Sequence, residues 1–113
     1  MNIKKVEAIV RISKLDSVLE RLRDIVDGVT VSEVRGVSRS DRSGRGVYRG
    51  IRYRSDPLNV KVEVITVQND LDDVVNAIIQ GSRTGAAGDG CIFVSDVFDV
   101  MRIRNAQCGE AAL

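Results

Sequence analysis

Residues 59–67 read NVKVEVITV and residues 70–79 read DLDDVVNAII. Apolar and polar side chains alternate through the first stretch, which predicts a β-strand with one buried face. In the second stretch, apolar residues recur at helical spacing behind Asp70, a residue type that caps helix N-termini. A half-buried strand followed at once by an amphipathic helix predicts a sheet with helices packed on one face.

The same two patterns recur elsewhere in the chain. They predict strands over residues 3–12, 29–37 and 91–97, and a helix that follows Ser13 as its cap and closes at Asp27-Gly28. Gly36 indicates a bulge or a close backbone approach in the second strand. The order of elements predicts an α+β, ferredoxin-like βαββαβ sandwich, in which two helices cover one face of a four-stranded antiparallel sheet.

The face of the sheet away from the helices is only partly polar. Ile9 and Ile65 interrupt its charged residues, so we expect another copy of the chain to cover it. After the fourth strand, residues 98–104 predict a short extended continuation suited to a hairpin arm. Residues 105–113 are small and polar, which predicts a flexible tail unless a partner subunit holds it.

The composition is that of a folded protein with one domain, residues 1–113. Hydrophobic residues make up 43% of the chain and charged residues 29%. Histidine is absent and there are two cysteines, which excludes a Ser-His-Asp triad, histidine metal sites and a four-cysteine zinc site. We therefore predict no catalytic residue and no metal. No apolar run approaches the roughly 20 residues of a membrane span, and no secretion signal is evident, so we expect a cytoplasmic protein.

Residues 38–58 lose the alternating pattern and predict a long loop. A connection of about 20 residues in a small domain usually carries function. Its neighbourhood is basic, with Arg35, Arg39, Arg42, Arg45, Arg49, Arg52 and Arg54 against the single acid Asp41. Such a segment favours an anionic partner or water. Nucleic acid is an alternative partner that we do not expect, because the loop has no Phe or Trp on which bases would stack.

A glycine-rich stretch, TGAAGDGCIFV at residues 84–94, joins the second helix to the fourth strand. Glycines let backbone N–H groups turn toward an anion, which favours a phosphate-binding loop. A helix end followed by a turn would use the same residues, so both interpretations stay open. Asp89 is interpreted as a turn former and not as a catalytic base, since no second acid or nucleophile accompanies it.

Several segments taken together resemble the PII signal-transduction proteins. They are KKVEAIVRISKLDSVLERL, GVTVSEVRG, YRGIRY, KVEVITV, TGAAGDGCIFV and VMRIR, in order and spacing, from Lys4 to the end of the chain. The resemblance implies a homotrimer with nucleotide sites in the clefts between subunits, and sensing in place of catalysis. It also implies a B-loop (residues 84–90) that wraps phosphates and a T-loop (residues 38–58) that reaches a membrane transporter or a metabolic enzyme.

The resemblance assigns roles to individual residues. ADP, ATP or AMP would bind through Thr30, Arg39, Gly85, Gly88, Asp89, Gly90, Cys91, Arg102 and Arg104. Thr30 would help to recognise adenine, and the arginines would reach the phosphates, a pairing that guanidinium groups favour. Tyr53 occupies the position that is covalently modified in the family, but Arg52 stands where an acid is common, so a solvated or partner-packing tyrosine is favoured over a modified one. Cys91 and Cys108 are either a redox-sensitive clasp or two free thiols.

Three departures from the family pattern bear on the ligands. Cys91 replaces the usual lysine after Gly-Asp-Gly, so a triphosphate would lose a cationic partner and preference would move toward ADP or AMP. Ser40 and Asn59 replace the glutamine and lysine that hold 2-oxoglutarate beside Mg-ATP, which argues against that effector. Similar departures occur in PII-like relatives that serve carbon acquisition in place of nitrogen assimilation, and some of these bind bicarbonate near the nucleotide. The resemblance therefore implies regulation in nitrogen or carbon metabolism, and its alternative is a regulator of inorganic carbon acquisition that senses ADP or AMP and bicarbonate. A slow phosphatase acting on bound ATP is the rival enzyme hypothesis.

Overall fold

The computed structural model describes the backbone of residues 2–39, 47–48 and 51–113, and the side chains of residues 2–35 and 59–113. Its strands are β1 (Ile3–Arg11), β2 (Thr30–Arg39), β3 (Val47–Tyr48), β4 (Ile51–Val67) and β5 (Cys91–Asp96). Its helices are α1 (Leu15–Leu22) and α2 (Leu71–Ser82), each entered through a short 3-10 turn, and a third 3-10 turn spans Gly109–Ala112.

The main sheet has the strand order β2-β4-β1-β5, and all of its pairings are antiparallel. β1 pairs with β4 from Ile3↔Val67 to Arg11↔Asn59, and with β5 from Lys4↔Asp96 to Ile9↔Cys91. β3 pairs with β4 outside this path. The four long strands and two helices form the predicted α+β, ferredoxin-like sandwich, so the predicted fold is confirmed.

The core lies between the helices and one face of the sheet. β1 and β4 contribute alternate residues to it, among them Val6 and Val62, and both are fully buried, as the alternating pattern predicts. Each such side chain contributes about 1.5–3 kcal/mol through burial. The two helices pack closely because α2 presents Gly81, where an added Cβ would lie 2.9 Å from the Cα of Val18 on α1.

The opposite face of the sheet, called the open face below, carries a charged network. Lys5 Nζ lies 2.9 Å from Glu7 Oε1 and 3.6 Å from Glu63 Oε2, and Lys61 Nζ lies 3.2 Å from Glu63 Oε1. The hydrogen bond to Glu7 is the main cause that raises the pKa of Lys5, and it lowers the pKa of Glu7. Ile9 and Ile65 are half-buried on this face. The expected cover by a second copy stays a prediction.

The predicted loop over residues 38–58 is wrong for much of its length. β2 continues to Arg39, β4 begins at Ile51, and β3 lies between them, while residues 40–46 and 49–50 lie outside the described residues. Backbone hydrogen bonds between paired strands need no alternation of apolar side chains, so the sequence pattern misses this extension.

The irregularity predicted at Gly36 lies on the partner strand. Val34 pairs with Asn59 and Gly36 with Asp56, so two steps along β2 match three along β4. The additional residue therefore belongs to the part of β4 that contains Pro57, which has no N–H group to offer to the ladder.

The helix boundaries differ from the sequence prediction at the first helix. The N-cap residue of α1 is Lys14 and not Ser13, and α1 ends at Leu22, before the predicted stop at Asp27-Gly28. Asp70 is the N-cap residue of α2, as predicted, but its side chain makes no capping hydrogen bond. No helix of the described residues combines the length and the apolar character that crossing a membrane requires.

The C-terminal segment folds back on its own chain in a short hairpin, so residues 98–104 do not extend β5 as predicted, while the hairpin itself agrees with the sequence prediction. The flexibility expected of residues 105–113 stays a prediction. Met101 forms a bridge with Cys108 in place of an extended continuation of β5. The N–H of Arg102 donates to Gln107 O at 2.8 Å, and the N–H of Gly109 donates to Val100 O at 3.0 Å. These backbone bonds satisfy polar groups that the sequence pattern leaves without a partner.

Gly90 is the residue at which the chain enters β5, and its backbone tolerates no side chain. An added Cβ would lie 1.7 Å from Ile9 O, and φ is +101°. We expect Gly90→Ala to lower the free energy of unfolding by about 3 kcal/mol or more, because the clash forces β1 and β5 apart and the left-handed backbone adds strain. Urea denaturation at a fixed protein concentration measures the effect.

Gly85→Ala is the matched control for Gly90→Ala. Its φ is +85°, but nothing lies within 4 Å of an added Cβ. We expect only the backbone strain, about 1 kcal/mol. Equal losses in the two variants would contradict the close approach of Gly90 to β1.

Candidate functional site

The B-loop connects α2 to β5 and turns on three glycines. Gly85, Gly88 and Gly90 have φ values of +85°, +96° and +101°, a region that favours glycine. This conformation agrees with the unhindered loop that the sequence predicts. No described residue accepts a hydrogen bond from the backbone N–H groups of Ala87, Gly88 or Gly90.

Asp89 folds the B-loop by binding its beginning. Its carboxylate accepts hydrogen bonds from the backbone N–H groups of Thr84 at 2.8 Å and Gly85 at 2.9 Å, and from the Thr84 hydroxyl. These bonds, the Thr84 hydroxyl first, hold the pKa of Asp89 below its ordinary value of 3.8. The carboxylate is therefore an ionised structural acceptor, which supports its interpretation as a turn former.

Arg11 is a part of this loop region that the sequence analysis missed. Its Nη2 donates to Ala87 O at 2.8 Å and lies 3.4 Å from Asp89 Oδ1. The sequence places Arg11 among the polar residues of β1 and offers no local signal for this contact. The signal is the register of the folded sheet: β5 begins opposite Ile9, so Arg11 extends past β5 to the level of the loop.

A second group of predicted residues lies around a cavity of about 350 Å³. Thr30, Glu63, Ile65 and Leu113 line it. Arg102 is tied to the same region, because its Nη2 donates to Leu113 O at 3.2 Å. Leu113 thus connects Arg102 to the cavity that Thr30 lines, and the lining adds Glu63 and Ile65, to which the sequence pattern assigns no site. Arg104 is exposed in the turn at residues 103–105.

The two groups lie on opposite edges of the sheet. Thr30 begins β2 at one edge, and Cys91 begins β5 at the other, with β4 and β1 between them. Three strand spacings separate these edges, about 14 Å. A single chain therefore keeps the B-loop apart from Thr30, although the resemblance to the PII proteins implies that both bind one ligand.

The remaining predicted residues are only partly described. The side chains of Arg39 and Tyr53 lie outside the described residues, while their backbones pair with each other across β2 and β4. Cys91 and Cys108 are both exposed free thiols. In the described part of the chain, no three His, Cys, Asp or Glu side chains are grouped closely enough to hold a metal ion.

Comparison with known sequences identifies close relatives. The family model for Nitrogen regulatory protein P-II matches residues 3–107. The chain is similar to the Nitrogen regulatory protein P-II of Pasteurella multocida, with 43% identity over 97% of this chain and 99% of the relative. It is also similar to the Nitrogen regulatory protein P-II 1 of Escherichia coli K12, with 41% identity over the same shares.

Solved structures match over nearly the whole chain as well. The structure of Arabidopsis thaliana PII bound to citrate has a TM-score of 0.78 and 38% identity, and the match covers 99% of this chain and 92% of that one. The B. subtilis GlnK-ATP complex has a TM-score of 0.84 and 26% identity, and the match covers 100% and 99%. Sequence and fold together show that this chain belongs to the P-II family of nitrogen regulatory proteins.

Proposed function

We propose that this chain is a P-II-type signalling protein that binds adenine nucleotides between neighbouring copies of itself. It would regulate a membrane transporter or a metabolic enzyme through residues 38–58. The observation that carries the proposal is the separation of the B-loop from Thr30 on opposite edges of the sheet, with Arg102 connected to the Thr30 cavity through Leu113. A ligand that uses both groups takes one from each of two chains, and a solved relative, B. subtilis GlnK, forms a complex with ATP.

The B-loop supplies the phosphate end of the proposed site. Its positive-φ glycines let backbone N–H groups converge on an anion. Arg102 and Arg104 of the neighbouring copy would add guanidinium groups, which pair bidentately with phosphate oxygens. Arg39 is proposed as a further cation.

The cavity at Thr30 supplies the adenine end. A volume of about 350 Å³ lies within the range of small-molecule pockets. Ile65 offers an apolar wall, while Thr30 and Glu63 offer polar atoms that would pair with the edge of the base. This mixture of one apolar surface and a few polar groups suits a flat heteroaromatic ring.

Exposed apolar side chains support assembly into a homotrimer. Phe98 is 98% exposed and Ile103 is 100% exposed in the single chain, and Phe93 and Met101 also face solvent. Large apolar side chains that would lie exposed in a single chain are available for burial by a partner. The same assembly would bury the half-exposed Ile9 of the open face.

The sheet connects the B-loop to the T-loop through three neighbouring strands, β1, β4 and β2. Arg11, which contacts the B-loop, pairs with Asn59 of β4, and Asn59 pairs with Val34 of β2. β2 and β4 both extend into residues 38–58. A nucleotide that binds two arrangements of this segment with different affinity would shift their populations and so change the surface offered to a target.

The proposed role is regulation in the cytoplasm and not catalysis. Asp89, the acid of the B-loop, is occupied by hydrogen bonds from Thr84 and Gly85, and its lowered pKa makes it a weak base. The chain contains no histidine. Phosphate release from ATP and Mg²⁺ beyond trace levels would favour the phosphatase hypothesis instead.

Calorimetric titration with ATP, ADP and AMP tests nucleotide binding. We expect saturable binding, and we expect Arg102→Ala to weaken it by roughly 10–100-fold through the loss of charge-assisted hydrogen bonds. Arg21→Ala, at an exposed position on α1, is the matched control and should bind like the parent. A parent protein that binds none of the three nucleotides would refute the proposal.

The same titration separates the proposed effectors. Because Ser40 and Asn59 replace the 2-oxoglutarate partners, we expect 2-oxoglutarate to leave Mg-ATP affinity unchanged, whereas bicarbonate is the small anion to compare with it. Cys91→Lys should strengthen ATP binding more than AMP binding, because it restores a cation beside the added phosphates. Tighter Mg-ATP binding with 2-oxoglutarate would contradict the inference from residues 40 and 59.

A mixing experiment tests whether two chains share each site. Gly88→Asp places a carboxylate in the B-loop, and Arg102→Ala removes the guanidinium that is connected to the Thr30 cavity. Neither variant alone should therefore bind ATP tightly. Refolded together, the two chains should regain roughly a quarter of the parent sites, as random assortment around a ring gives. No recovery in assemblies whose mixing is verified by mass spectrometry would mean that each site lies within one chain.

A further inference from the structure

We infer that Arg11 is a positioning residue that holds the B-loop in its anion-binding shape from the end of β1. This inference rests on the proposed function for its consequence on nucleotide affinity. The inference that the guanidinium orders the loop needs no ligand, because it is based on contacts within the single chain.

Arg11 binds the B-loop at two separate points. Its Nη2 donates to Ala87 O at 2.8 Å and lies 3.4 Å from the Asp89 carboxylate, which itself holds Thr84 and Gly85. One guanidinium therefore links the middle of the loop to the acceptor that closes its beginning. Charge-assisted hydrogen bonds of this kind are stronger than neutral ones.

The backbone of Arg11 is held in position by the sheet. It is the last residue of β1, where it pairs with Asn59 of β4. Two residues earlier, Ile9 O lies against Gly90, where a Cβ would come within 1.7 Å. The end of β1 thus contacts the loop twice. The backbone of Ile9 lies against Gly90, and the side chain of Arg11 contacts Ala87 and Asp89.

The Arg11 guanidinium lies partly enclosed against the B-loop. The Arg11 side chain is only 30% exposed, and its Nε is buried without a hydrogen-bond partner among the described residues. A Cβ added at Gly88 would lie 3.1 Å from Arg11 Nη2. Glycine at residue 88 therefore leaves space for the Arg11 guanidinium and also permits the positive φ of the turn.

Charge gives Arg11 a second effect on an anionic ligand. Asp89 is the only charged residue between Thr84 and Cys91, and Cys91 carries no cation. Without Arg11, the carboxylate of Asp89 would stand uncompensated beside the proposed phosphate position. Loss of Arg11 should therefore weaken ATP more than ADP, and ADP more than AMP, because repulsion grows with phosphate charge.

Two variants of Arg11 separate positioning from general stability. Arg11→Gln removes the charge, while Arg11→Lys keeps it with fewer donors, and Arg21→Gln on α1 is the matched control. In the ligand-free protein, we expect amide hydrogen exchange at Thr84 and Gly85 to rise roughly tenfold in Arg11→Gln, to rise less in Arg11→Lys, and to stay at the parent rate in Arg21→Gln.

Nucleotide affinity gives the second measurement. Arg11→Gln should weaken ATP binding roughly tenfold and AMP binding less, with partial recovery in Arg11→Lys. In a double-mutant cycle, Arg11→Gln combined with Asp89→Asn should lose less than the sum of the two single losses, because the residues act as a unit.

Two results would overturn the inference. One is unchanged exchange at Thr84 and Gly85 in Arg11→Gln, and the other is additivity of the Arg11 and Asp89 losses. Failure of the proposed function looks different. If the parent binds no nucleotide while Arg11→Gln still accelerates exchange at Thr84 and Gly85, the positioning role stands and nucleotide sensing does not.

Discussion

Hydrogen bonds from β1 to its two neighbours, β4 and β5, set the register of the sheet and so the positions of the core and the B-loop. β4 pairs with all nine residues of Ile3–Arg11, and β5 pairs with Lys4 to Ile9. The pleat of β1 then sends alternate side chains to the helices and to the open face. The mismatch in length between the two ladders leaves Arg11 beyond the start of β5, beside the B-loop. Both the core and the loop therefore depend on a single register.

Local periodicity was sufficient to predict the fold. The alternation in residues 59–67 and the helical spacing behind Asp70 correspond to β4 and α2, because burial on one face imposes those periods directly. The same rule fails where backbone bonds alone hold the chain. The tail after Met101 and the extension of β2 toward Arg39 are ordered by main-chain pairing, which leaves little trace in side-chain hydrophobicity.

The site was predicted unevenly for a similar reason. The glycines of the B-loop can be recognised in the sequence, because a backbone position with positive φ favours glycine. Thr30 and Arg102 could be assigned only through resemblance, since they are far apart in sequence and meet through Leu113. No sequence pattern near Arg11 predicts its contact with the B-loop. Its contact with Asp89 spans most of the chain and exists only once β1 and β5 are in register.

The ionised carboxylate of Asp89 gives the loop and the core different sensitivities to acid. Its pKa lies below the ordinary 3.8, so the order that it confers is complete above that value and disappears as the pH falls through the folded pKa. The buried polar side chains of the described residues, Thr66 and Ser82, do not ionise. Acidification below pH 3.8 should therefore loosen the loop, and it should also weaken the Lys5–Glu7 pair of the open face, because the pKa of Glu7 is lowered as well. The buried side chains of the described residues do not titrate in this range, and neutralisation should restore the original arrangement.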